Sequence, residues 1–314
     1  MATIRVERSY TEGSVNGLVP PSIQSLLCIK GEMVPKSKIK NEYLERLAFV
    51  NDQLCYFQFA DDEVRRIIDG LGDVNPLRMT PEIFSENPYS NRIRVRFEEL
   101  LSFRERAMAT SYGISISLGV EHLLYYLDDA RELKLEISNA SESPEKSDTP
   151  EARLENNFKQ WGASINPAVF KTIKYFRLRR NHIVHARSAL TSEFDRFLRN
   201  ESHHLNSYWA AKTSLAGLDF SSKEVERFSV SEVYTCAKLL RVCVEEIDEA
   251  IASTFSNESL IDYMTKEILN RDKKLKGSSK VLSRKVRRCL IDHFGVEIDL
   301  SEVESSVVGF LENA

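Results

Sequence analysis

Cysteine is scarce in this chain: Cys28, Cys55, Cys236, Cys243 and Cys289 make five in 314 residues, odd in number and without a CxxC pair. That excludes a disulfide scaffold and a zinc knuckle and predicts reduced thiols, with Cys236 and Cys243, two turns apart, packing on one helix. Glycine and proline number only 12 and 9, too few for a collagen-like or low-complexity chain. No apolar run approaches the roughly 18 to 20 residues that cross a bilayer. The opening MATIRVERSYTEG has neither an apolar signal core nor an Arg-rich presequence, so the expectation is a cytoplasmic protein with no membrane partner. Walker A, GxGxxG, HExxH and GxSxG motifs are all missing, which removes the commonest nucleotide, metalloprotease and serine-hydrolase chemistries.

What remains is an ordinary globular composition, 42% hydrophobic and 29% charged, long enough for one enlarged domain or two small ones. The net charge of -4 argues against a protein that coats nucleic acid through bulk positive charge, but its distribution is uneven. From Asn156 to Ser192 there is no acid, while Lys159, Lys171, Lys174, Arg177, Arg179, Arg180 and Arg187 are all basic. From Lys266 to Arg288 ten Lys or Arg face two acids, and from Cys289 onward six acids face no Lys or Arg. The second patch is either a surface that contacts RNA phosphates or a solvated helix face neutralised by the acids beyond it.

Apolar periodicity is helical almost throughout, which predicts an all-α protein. Helices are expected from about Asn41 to Phe59 and from Asp61 to Ile68, followed by turn signals at Gly70, Gly72 and Pro76. From Phe97 to Leu127 the pattern fits one long helix or a pair broken near Gly113, with Ile114 to Leu118 also fitting strand alternation. Residues 138–151 are polar, Ser-rich and twice interrupted by proline, the composition of a mobile loop. A helix opens at Asn166-Pro167, a cap followed by proline in the first turn, and another at Ser229, where Ser-x-x-Glu232 makes a capping box.

The chemistry centres on Arg180-Asn181-His182-Ile183-Val184-His185. An RNA strand carries its own nucleophile, the 2′-hydroxyl. Cleavage therefore needs a base for that proton, an acid for the leaving 5′-oxygen and a cation on the phosphate. Histidine can perform either proton transfer, and arginine grips phosphate oxygens with a planar fork. Asn181 and His185 share a helical face, so the amide can orient the imidazole or bind the phosphate. Arg180 lies roughly 140° from His185 on an ideal helix, a gap that a long side chain, a distortion or a second subunit must close. A parallel spacing, Arg199-Asn200 to His204, has a polar interior and is the weaker candidate.

This hexapeptide resembles the RNxxxH form of the Rx4-6H motif of HEPN-domain ribonucleases. The similarity covers residues 91–254 and includes a preceding helix with a mid-helix acid, Glu121. It implies a HEPN-like helical bundle at 91–254, containing the 138–151 loop; outside the similarity, the residue pattern predicts a mostly helical region at 1–90 and a basic-then-acidic extension at 255–314. It also implies a homodimer whose two motifs face each other in a composite, metal-independent site with no cofactor, leaving 2′,3′-cyclic phosphate and 5′-hydroxyl ends. Arg180, Asn181 and His185 are then catalytic, with His182 a second proton-transfer group or a packing residue, and Glu121 a positioning group or a surface acid. RNA, as tRNA or mRNA, would lie on Lys174, Arg177, Arg179, Arg187, Lys273, Lys274, Arg284, Arg287 and Arg288. Toxins and antiphage effectors are common in that family, so a neutralising antitoxin or regulatory partner is implied as well. The alternative is a non-catalytic helical module that binds RNA or a protein.

Overall fold

A computed structural model describes residues 36–140, 149–185 and 189–313. Cys28, Arg187 and most of the 138–151 loop lie outside the described residues. The class is all-α: the described residues form eleven helices and one 3-10 turn, and their only β pairing is a single bridge between Met79 and Arg96.

The first helix, α1 (Lys40–Asp69), is continuous where the sequence suggested two. Asp61, at the expected break, is not spent on a cap; its carboxylate accepts from Arg104 Nε and Nη2, the latter at 2.9 Å, and the helix runs on. Tyr43, Leu47, Val50 and Leu54 bury one stripe of α1 in the main core, so residues 40–54 belong to it. Two single turns, α2 (Thr80–Ile83) and α3 (Ser90–Ile93), lead into α4 (Phe97–Ser138).

At 42 residues α4 is unbroken through both of its glycines. Each glycine costs a helix about 1 kcal/mol. Burying side chains such as Leu123, Tyr126 and Leu127 contributes about 1.5 to 3 kcal/mol apiece, so packing wins. The glycines permit close approach instead. A Cβ at Gly119 would stand 3.0 Å from Leu240, and one at Gly113 3.4 Å from Ile183.

Four more helices complete this core: α5 (Pro150–Trp161), α6 (Pro167–Val184) and α8 (Val230–Ala252) pack against α4, and α7 (Ser192–Lys212) packs against α6. Asn166 caps α6 as expected, its side chain accepting from Ala168 N at 2.9 Å ahead of Pro167. Ser229 caps α8, but the reciprocal half of the expected box is missing because Glu232 turns inward to an arginine described below. Cys236 and Cys243 pack at 0% exposure, where burial pushes the Cys236 thiol up to about 12 and Cys243 further in the same direction.

The C-terminal segment folds into α9 (Asn257–Arg271), a 3-10 turn (Lys273–Gly277), α10 (Ser279–Phe294) and α11 (Leu300–Asn313). These helices enclose a second core around Ile261, Leu282, Val286, Leu290, Phe294 and Val303, joined to the end of α4 through Leu133 and Ile137. Among the described residues, no helix is long and apolar enough to cross a membrane.

Candidate active site

The RNxxxH segment closes α6, which packs against α4, α7 and α8. Its inward face, Phe170, Ile173, Phe176 and Leu178, is buried, and that packing decides which motif residues reach the surface. Arg180 emerges with about a quarter of its side chain exposed. Its guanidinium is held on both sides: Nη2 pairs with the Glu121 carboxylate of α4, and Nη1 donates to Asn181 Oδ1 at 2.7 Å. Glu121 therefore contacts Arg180, and Asn181 is turned toward Arg180 rather than toward the imidazole. His185 follows as the exposed C-cap, its backbone N–H donating to Asn181 O at 3.2 Å.

His182 points the other way, with 5% exposure. A carboxylate only accepts, so Nε2 carries the proton it shares with Glu226 Oε1 at 2.8 Å, tying α6 to the segment before α8. Nδ1 is buried without a hydrogen-bond partner. The position is a tether, so the second proton-transfer role weighed for His182 does not fit its placement.

Much of the acid-free stretch is neutralised in three dimensions, because other elements bring acids to its described cations. Lys171 pairs with Glu201 at 2.7 Å and Lys174 with Glu193 at 3.5 Å. Arg177, mostly buried, pairs with Glu151 at 2.6 Å. Arg179 is the extreme case, 2% exposed: it donates to Val225 O at 2.8 Å, Tyr175 Oη at 3.2 Å and Glu232 Oε1 at 2.6 Å, and stacks 4.0 Å from the Phe228 ring. Burial opposes its charge, but Tyr175, Cys236 and Glu232 outweigh that and raise its pKa. Arg177 and Arg179 are thus corrected from RNA contacts to structural ion pairs. Charge counted along the chain missed this because the neutralising acids come from α5, α7 and α8.

In the C-terminal segment Arg287 is engaged by Ile298 O at 3.0 Å and by the exposed Glu297 at 2.7 Å. Lys273, Lys274 and Arg284 are exposed, and Arg288 keeps only a solvent-exposed pair with Asp292 at 3.7 Å. The second spacing lies on α7, with Arg199 paired at 3.0 Å to Asp195 of the same helix and His204 exposed; among the described residues no acid of another helix pairs with Arg199. Trp209 of α7 is fully buried with its indole N–H donating to Thr172 Oγ1.

Sequence reading passed over two features. A groove of about 1260 Å³ runs beside the motif, lined by Arg106, Thr110 and Gly113 of α4, Ile183 and Val184 of α6, and Phe228. An exposed apolar stripe, Ile114, Leu118 and Tyr125 on α4 with Val184 of α6, flanks the Arg180 and Glu121 pair. The 4-3-4 spacing of 114, 118, 121 and 125 carried that signal, hidden because both faces of α4 are rich in apolar residues. Among the described residues no group of three or more His, Cys, Asp or Glu is placed to hold a metal ion. No protein-family model, curated protein or solved structure matches this chain.

Proposed function

We propose that the protein is a metal-independent endoribonuclease of HEPN type, acting as a homodimer with Arg180 and His185 at its catalytic centre. The observation that supports this reading is that Arg180, fixed by Glu121 and Asn181, opens onto a face whose surroundings, Ile114, Leu118, Tyr125 and Val184, are apolar and exposed. Exposed apolar surface of this kind marks association, and a two-fold contact would bring two copies of α6 together. The roughly 140° between Arg180 and His185 then closes across subunits, Arg from one and His from the other.

In the reaction the 2′-oxygen attacks phosphorus as its proton passes to a base, and the P–O5′ bond breaks as the 5′-oxygen takes a proton from an acid. The products are a 2′,3′-cyclic phosphate and a 5′-hydroxyl. His185 supplies proton transfer, Arg180 stabilises charge on the phosphoryl oxygens, and Asn181 fixes the guanidinium plane. A toxin or antiphage effector restrained by an antitoxin is the setting this activity fits.

A second reading, a non-catalytic module, is favoured by the Glu121 ion pair, which already satisfies the Arg180 charge. Total cellular RNA incubated in EDTA with wild type and His185→Ala separates the two. Cyclic-phosphate ends made by the wild type and lost in the variant support the nuclease, and intact RNA with both supports the module.

A further inference from the structure

We propose that the 3-10 turn and α10 form the protein's grip on the phosphate backbone of base-paired RNA, physically separate from the Arg180 site. The inference supplies substrate recognition for the nuclease reading, yet its binding test stands whether or not RNA is cut.

Of the two basic stretches in the sequence, the first has Lys171, Lys174, Arg177, Arg179 and Arg180 paired with acids, whereas most cations of the second stand open. Lys273, Lys274, Lys276, Lys280, Arg284 and Lys285 are all exposed, and no acid among the described residues reaches ion-pair distance of any of them. Three of the six acids beyond Cys289 are engaged elsewhere: Glu297 is taken by Arg287, Asp292 by Arg288, and Glu302 accepts from Asn257. On α10, Lys280 and Arg284 recur four residues apart, about 6 Å along the axis, making a row of cations on one side. The opposite side, Leu282, Val286, Leu290 and Phe294, is buried at 0% in the second core, which fixes the row in place.

The same facts select the partner. A membrane-surface helix must insert an apolar face into the lipid, and α10 has spent its apolar face on its own core, leaving only Val281 exposed at 51%. A protein interface of high affinity is usually centred on buried aromatic anchors, and residues 273–288 contain no aromatic residue. Single-stranded RNA is held by stacking bases on aromatic side chains, which that absence also removes. A base-paired nucleic acid is read through backbone and shape, for which a fixed row of cations suffices, and the nuclease reading makes that partner RNA.

The test measures binding by the full chain in EDTA to a fluorescent RNA hairpin, an unstructured RNA of equal length and a DNA hairpin of the same sequence. One variant reverses Lys273, Lys274, Lys280 and Arg284 to Glu; a control reverses four exposed cations elsewhere, Arg66, Arg92, Arg199 and Lys223, for an equal change in net charge. The expected result is tightest binding to the RNA hairpin, weakened more than tenfold by the first set and far less by the control. The slope of log K against log salt should become shallower by about 3, four contacts at roughly 0.7 to 0.9 each. A milder set with Gln in place of Glu should lose less affinity in the same order. Equal losses in both charge-reversed sets, tighter binding to unstructured RNA or to DNA, or preference for anionic phosphatidylserine vesicles would each overturn the proposal. Binding without cleavage would sink the nuclease reading and leave this one standing; cleavage that survives with binding unchanged in the first set would do the reverse.

Discussion

Arg179 Nη1 lies 2.6 Å from Glu232 Oε1 inside the helical core, while the next residue in the chain, Arg180, reaches outward to Glu121. The two arginines are one peptide bond apart and 100° apart on the helix, and that rotation separates a structural ion pair from a surface guanidinium. Removing Arg179 strands the Glu232 carboxylate, Val225 O and Tyr175 Oη. Arg179→Ala should therefore cost about 3 to 5 kcal/mol in urea denaturation, the range for one partner of a buried pair. Arg180→Ala should change stability by no more than about 1 kcal/mol and abolish RNA cleavage. A stable Arg179→Ala protein would show that the buried network is not holding α6 to α8.

The all-α class and the helix ends at Asn166 and Ser229 were legible because capping and apolar period act within a few residues. The fate of individual charges was not. Lys174, Arg177 and Arg179 looked alike in an acid-free run, and only the tertiary fold brings Glu193, Glu151 and Glu232 to them from 19 to 53 residues away. Asp61 misled for the same reason: a residue type that often starts a helix is held here by Arg104. Glu121 stood out only through the family resemblance, as a positioning group or a surface acid, and its pairing with Arg180 came from the fold because 59 positions separate them.

The glycines of α4 give a test of packing against propensity. Alanine at either position should gain about 1 kcal/mol of helix propensity. At Gly119 the new methyl meets Leu240 at 3.0 Å on one side, with Val50 and Leu47 behind, and overpacking costs about 1 to 3 kcal/mol. At Gly113 the nearest atom is at 3.4 Å, beside an open groove. Gly119→Ala should lower the melting temperature and Gly113→Ala should leave it level or raise it; the opposite order would mean that α4 and α8 do not approach as closely as described.

Asp248 makes stability depend on pH in an unusual direction. Its carboxylate is fully buried, accepting from Ser37 N at 2.8 Å, from the Ser37 hydroxyl and from Tyr126 Oη at 3.0 Å. Burial raises its pKa, and the hydrogen bonds and Lys40 only partly offset that. A carboxyl whose folded pKa is raised contributes stability that is complete below the ordinary carboxylate value and is lost as pH climbs through the folded value. The difference in unfolding free energy between wild type and Asp248→Asn should accordingly move in favour of the asparagine variant from pH 4 upward. A trend in the other direction would mean that the hydrogen bonds dominate burial.

The composite-site reading makes its sharpest prediction for mixed dimers. Ile114→Asp with Tyr125→Asp places two charges on the exposed stripe without touching Arg180, His185 or Glu121, so sedimentation should show a monomer that no longer cuts RNA. That result alone leaves open which chain supplies which group. Arg180→Ala and His185→Ala proteins, each inactive alone, settle it when mixed and allowed to exchange. If each centre takes Arg180 from one subunit and His185 from the other, half of the dimers are mixed and each mixed dimer has one complete centre, so roughly a quarter of wild-type activity should return. If both groups must come from one subunit, every centre in the mixture is defective and no activity returns. Recovery that fails although the two variants form mixed dimers would therefore place Arg180 and His185 in the same subunit, and the helix would have to distort to bring them together.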